Sequence, residues 1–293
     1  MSDAVLSAPA EQPPFTLRAS RFMRRNPTLT AGLAVMLAML VLALIAPFIT
    51  GDPMATSPAR RLQPPSLDLP FGTDHLGRDV YARTIHGARV SLIVGFSVAA
   101  FAVAVGLLLG MAAGYVRALD SALMRVMDAL MAIPAILLAI ALVSLARASV
   151  TIVIVAITIP EIPRVVRLVR AVVLSVRERA YVEAAVAGGT PTPLILLRHI
   201  APNTIAPLIV QATYIAASAI LVEASLSFLG AGTPPDIPSW GNMIAQSRNF
   251  LARAPWTILF PGAALALVVL AINLVGDGLR DHLDPRLARR MRA

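Results

Sequence analysis

Six apolar runs, most of them as long as a membrane is thick, constrain this chain more than any other feature. A hydrocarbon core of about 30 Å takes roughly 20 apolar residues wound as a helix. Runs at 29–49, 90–115, 124–146, 148–163, 204–228 and 257–276 predict six transmembrane helices and an all-α, polytopic membrane protein. Composition agrees: 57% of the 293 residues are hydrophobic and 14% charged, against about 25% charged in a soluble domain. The fourth run is the shortest, roughly 24 Å as a helix, and Pro160 and Pro163 fall at its end. The first follows a basic cluster, Arg21, Arg24 and Arg25, like the n-region of a signal peptide. Its apolar stretch is longer than a usual h-region and no clear cleavage site follows, so a retained helix is expected.

Charge then orients the spans. Lysine is absent, so all 25 basic residues are arginines, and the net charge is +9. With the N-terminus inside, 17 arginines fall in cytoplasmic segments and 8 outside, the bias of the positive-inside rule. That distribution accounts for the basic character without nucleic acid, and it places both termini in the cytoplasm. The expected divisions are a cytoplasmic tail at 1–28, outer loops at 50–89 and 229–256, a cytoplasmic loop at 164–203 and a cytoplasmic tail at 277–293.

Two missing residue types exclude chemistry. Without cysteine there are no thiolate nucleophiles, thiolate metal sites or iron–sulfur clusters. Without lysine there is no ordinary phosphate-binding loop of the GxxxxGK[ST] form and no Schiff-base chemistry. If ATP drives this protein, another subunit binds it. No cofactor is expected on this chain.

The loop at 164–203 is the most informative segment. Arg164, Arg167 and Arg170 recur every three residues among valines and leucines, which predicts an amphipathic interfacial helix with guanidinium groups toward phosphates. Tyr181 to Ala185 favours a short helix, which Gly188-Gly189 can end by supplying positive φ. Thr190-Pro191 is expected to cap and open a second helix. The result is a helix–turn–helix across the inner face of the membrane. Small residues Ala184 and Ala185 would let another protein approach closely, and Tyr181 and Glu183 could fix its register.

With these residues in view, the chain resembles the membrane subunits of ATP-binding-cassette importers. Their loop motif reads Glu-Ala-Ala, three residues, Gly, then a later Ile-x-Pro; Glu183-Ala184-Ala185, Gly189 and Ile200-Ala201-Pro202 match it. The leucine usual before the final proline is Ala201 here. Phe71–Leu92 (FGTDHLGRDVYARTIHGARVSL), Glu223–Met243 and Asn273–Arg286 resemble signatures of the dipeptide/oligopeptide/nickel-type permeases, and Arg21–Leu33 resembles that family's approach to its first span. The shorter, C-type permease of the pair is the nearer likeness. The resemblance implies a type I importer permease fold and a bacterial or archaeal inner-membrane location. It also implies a second related permease, two ATPase subunits that bind ATP and Mg, and an extracytoplasmic substrate-binding protein. Carried over by position, Glu183, Ala184, Ala185 and Gly189 are the coupling residues; Tyr181 joins them from its place on the helix.

Other candidates stand beside these. Gly106, Gly110 and Gly114 share one helix face and suit close backbone packing. Glu223, an acid within the fifth run, should face protein or water; a buried carboxylate beneath the outer loop is the leading reading, with pathway lining and proton coupling as alternatives. Glu161 is expected to pair with Arg164, and Asp128 to cap the third helix. Asp236 and Trp240 could contact the binding protein or anchor their loop at the interface. His75 and His86 share an outer loop without a metal-ligand spacing. Two rival functions remain: a secondary transporter or channel acting alone, for which Glu223 is the one plausible acid, and an intramembrane enzyme, for which no HExxH, GxSxG or paired aspartates occur within the runs.

Overall fold

The computed structural model describes residues 26–146 and 149–283. The arginines of the first 25 residues, Arg147 and the arginines after 283 therefore lie outside the described residues. Among those described, every named element is a helix: α1 Pro27–Ile49, α2 Val80–Tyr115, α3 Arg117–Ala132, α4 Ala135–Ser144, α5 Val150–Arg177, α6 Ala180–Ala187, α7 Thr192–Phe228, α8 Trp240–Ser247 and α9 Trp256–Leu283. Short 3₁₀ turns lie at Pro58–Arg60 and Arg248–Phe250.

Several helix starts are legible. Asp79 caps α2 by accepting from the Tyr81 N–H at 2.8 Å, Ser149 caps α5 through Ile152, and Ser239 caps α8 through Asn242. Each satisfies one of the donors a helix start leaves free.

Helices α1, α2, α7 and α9 are each long and apolar enough to cross a membrane, and α3 with α4 makes a fifth candidate if a bent pair counts as one span. That bent pair departs from the single helix expected at 124–146. Its two parts meet at 88° because Pro134 disfavours helical backbone in the residue before it; Ile133 is extended, at φ −90° and ψ 127°. The opposite departure occurs in α5. Pro160 and Pro163 lie inside one 28-residue helix, so the expected fourth run and the arginine helix after it are continuous. Each proline removes a backbone donor, and packing against α2 holds the helix together across both.

The centre of the bundle is α2. It packs on α5 and α7, α7 packs in turn on α9, and α9 on α1. The seam between α2 and α5 is the tightest. A Cβ added at Gly106 would lie 2.5 Å from Val165, at Gly110 2.6 Å from Val169, and at Gly114 2.6 Å from Val173. The glycines thus form a flat track for one valine face, and those valines are fully buried. By contrast α1 lies on the outside, with Leu37, Leu44 and Phe48 exposed.

Candidate functional site

The segment expected to couple to a partner is a short helix anchored by few buried side chains. Helix α6 follows α5 after only Glu178 and Arg179. One side chain, Val182, is buried beneath it, and Ile195 and Ile200 at the start of α7 are buried beside it. Its C-terminus closes through the Gly189 N–H to Val186 O at 3.0 Å and the Thr190 N–H to Ala185 O at 3.0 Å. That pair of bonds needs a left-handed residue after the helix; Gly189 supplies it at φ +76°. Thr190 does not cap the next helix. Pro191 holds that position without a side-chain bond, and the helix passes through a wider π turn at Leu196–Ile200 into the long α7.

The outward face of this unit is exposed: Tyr181, Glu183 and Ala184 on α6, with Ala185 half-buried, and Leu194 and Leu197 on α7. Tyr181 tilts over His199. A cavity of about 360 Å³ opens alongside, lined by Tyr115, Arg117, Arg177, Glu183 and Val186. Apolar side chains left open here, next to buried anchors, make a surface ready for another protein.

The arginines of α5 each find a partner within the protein. Arg164 donates to both Glu161 oxygens at 3.1 Å. Arg167 donates to Asp128 at 2.6 Å, and Arg170 clamps Asp120 with two bonds of 2.5 and 2.6 Å. Asp128 thus pairs across helices and caps nothing. Arg177 reaches the Gly114 carbonyl at 3.0 Å. The Arg167, Arg170 and Arg177 bonds tie α5 to α3 and to the end of α2, the helix that the glycine seam already holds. At the same end of the bundle Tyr214 donates to Asp277 at 2.5 Å. A cavity of about 420 Å³, lined by Leu168, Pro207, Gln211, Tyr214 and Arg280, lies there. Gln211, Tyr214, Asp277 and Arg280 were not singled out in the sequence, since polar residues near a span end are ordinary there.

At the other end, the two segments expected to be outer loops interlock. Phe71 stacks on Phe260 at 3.9 Å, and His75 on Phe250 at 5.1 Å. Trp256 donates to Thr73 O at 3.2 Å. Trp240 is fully buried and donates to Thr84 O at 2.9 Å. It is therefore available neither to a binding protein nor to the membrane interface, and the expectation for this residue is corrected: its indole fills the core between α2 and α8. Asp236 remains exposed. Glu223 is fully buried; its Oε1 accepts from Ser227 at 2.9 Å, Ser239 at 3.0 Å and Thr233 at 3.3 Å. These bonds fasten α7 to the segment before α8, while its Oε2 is buried without a partner. His86 faces Thr50 and the Ala82 carbonyl, and among the described residues no three His, Asp or Glu side chains cluster as a metal site.

The chain belongs to the family described as binding-protein-dependent transport system inner membrane component, which its residues 102–289 match; residues 15–65 match the N-terminal transmembrane domain of oligopeptide transport permease C. It is 58% identical over 270 residues to a probable peptide ABC transporter permease of Sinorhizobium fredii, covering 92% of this chain and 93% of that one. It is 44% identical over 267 residues to a dipeptide transport system permease of Alkalihalophilus pseudofirmus, covering 90% and 88%. Against a di/tripeptide transport system permease of Pseudomonas aeruginosa it is 41% identical over 264 residues, 87% of each chain. The protein is thus a multi-pass membrane permease subunit of a binding-protein-dependent importer, and ATP hydrolysis is the work of separate subunits.

Proposed function

We propose that this chain forms half of the membrane pathway of a peptide importer and that α6 is its handle for the ATPase. The observation that carries the reading is the exposed face of Tyr181, Glu183 and Ala184 on a helix locked at Gly189 and seated on Val182, Ile195 and Ile200. Peptides are the cargo by analogy with the relatives, whose names specify peptide, dipeptide or di/tripeptide transport. A second, related permease supplies the other half, two ATPase subunits sit beneath, and both termini lie on their side of the membrane.

The mechanics follow from the joints. Closure of the ATPases moves α6, and only two residues separate α6 from α5. The glycine seam and the Arg170–Asp120 clamp make α5, α2 and α3 one body, so displacement at α6 tilts packed helices without bending them separately. The cavity at Gln211, Tyr214 and Arg280 lies where this chain's share of the inner mouth is needed. Coupling is a differential binding relation: the ATPase can drive the change only if it holds one arrangement of α6 more tightly than the other.

The test is co-expression with the partner permease and ATPases, purification through this chain, and native mass spectrometry beside Gly189→Arg. One pair of permeases carrying two ATPases, with the ATPases lost in the variant, is the expected result. A folded chain that binds no ATPase would overturn the reading and favour a transporter acting alone.

A further inference from the structure

The outer cap contains a charge that its own residues leave unbalanced. Arg78 and Arg83 are both buried there, 4% and 1% exposed, and the one carboxylate facing them is Asp74, 5% exposed. Asp74 is already committed to Arg78. Its Oδ2 accepts from the Arg78 Nε at 2.7 Å, and its Oδ1 accepts from the Leu76 and Arg78 backbone N–H groups at 2.8 and 3.0 Å. Arg78 is completed by Gln246, which accepts from its Nη2 at 2.7 Å.

Arg83 is left over. Its Nε stands 3.9 Å from Asp74, beyond hydrogen-bond reach. Its Nη1 finds only the Pro53 carbonyl at 3.4 Å and the Met54 sulfur at 3.7 Å. Its Nη2 is buried with no partner at all. A guanidinium does not shed its proton in a protein, so the charge remains, and an uncompensated buried ion is heavily penalised. Arg83 lies on the wall of a cavity of about 10 Å³, shared with Asp74, Val80, Gln246, Ser247 and Thr257.

We propose that this cavity binds a single monatomic anion, a chloride ion in the cell, held by Arg83. Two guanidinium groups against one carboxylate leave a net charge of +1, and a monovalent anion cancels it. A water molecule would satisfy the Nη2 hydrogens but leave the charge standing. A carboxylate from another protein cannot reach a group that is 1% exposed. The cavity is walled by the first outer loop, α2, α8 and α9, so the ion pins all four together at the outer mouth.

The experiment uses the assembled importer in lipid nanodiscs, melted in sodium chloride and in sodium gluconate at equal ionic strength. The expected result is a higher melting temperature in chloride, saturating with concentration, and no such difference in Arg83→Met. Equal melting of the wild type in both salts, or a chloride dependence that survives Arg83→Met, overturns the site. Should Arg83→Met fail to assemble, crystals of the wild-type complex grown in sodium bromide decide the matter. An anomalous peak beside the Arg83 guanidinium supports the anion, and a map empty there leaves water alone in the cavity.

Discussion

The two ends of this bundle solve the same problem in opposite ways. Both are built largely from the connections between long helices. The outer cap closes on itself: Trp240 is buried, Phe71 and Phe260 stack, and Glu223 is held by three hydroxyls. The inner hook stays open: beneath α6 only Val182 is buried, while Tyr181 and Val186 are exposed at 44% and 54%. A surface that its own chain finishes carries stability, whereas one left unfinished waits for a partner. Damage to the cap should therefore cost folding, and damage to the hook should cost recruitment of the ATPase.

The largest effect should come from the seam that both ends share. Gly110→Leu places a side chain where even a Cβ lies 2.6 Å from Val169 and 2.9 Å from the Val166 carbonyl. Overpacking costs about 1–3 kcal/mol where a core can adjust, and a backbone carbonyl adjusts poorly. Loss of assembled complex is expected on native mass spectrometry; wild-type levels would refute the seam's role. Next comes Trp240→Ala, which removes a fully buried indole and its hydrogen bond to the Thr84 carbonyl. A loss of about 3–5 kcal/mol should appear as a lower melting temperature, while the fraction of folded chain that carries ATPase stays unchanged.

Gly189→Ala sharpens the contrast from the other side. A Cβ there meets nothing within 4 Å, so the penalty is backbone strain alone, about 1–2 kcal/mol in the left-handed region. Transport should fall and ATPase co-purification weaken, with the melting temperature of the chain nearly constant. A melting loss as large as that of Trp240→Ala would break the comparison.

The smallest effect is a pH response confined to the cap. Burial holds the His75 imidazole below its ordinary pKa of 6.5, so the unfolded segment takes up its proton first as pH falls. The stability this group lends is complete above about pH 6.5 and is lost as pH drops through the folded value. Corrected amide-exchange protection across residues 57–79 should therefore be lower at about pH 5.5 than at about pH 7.5, and His75→Gln should flatten the difference. Equal protection at both values in the wild type would contradict it.

Much of this was legible in one sequence. Apolar runs of membrane length exposed the class of fold, because lipid leaves the backbone no partner outside a helix or a closed barrel. The left-handed ending of the hook was readable at Gly188-Gly189, where Gly189 takes the positive φ, and the glycine face at 106, 110 and 114 was readable from its four-residue spacing. Local chemistry settles such features, since each depends on neighbours within a turn or two. The bend at Pro134 was equally local, though the apolar run around it masked the signal.

What only the tertiary structure decided are the pairings between distant residues. Arg167 and Arg170 face carboxylates because the bent α3 brings Asp128 and Asp120 alongside α5, whereas the Arg164–Glu161 pair is local to its own helix. The prolines at 160 and 163 do not end their helix, because valines on its far side have a glycine track to lie in. Trp240 is a core residue and not a contact, since the start of α2 packs over it from a distance of more than 150 residues along the chain. The sequence determined that helices cross a membrane and that one loop carries a hook. Which charges are quenched, which aromatic rings are hidden and which cation is left unpaired depended on long-range packing, which no local pattern encodes.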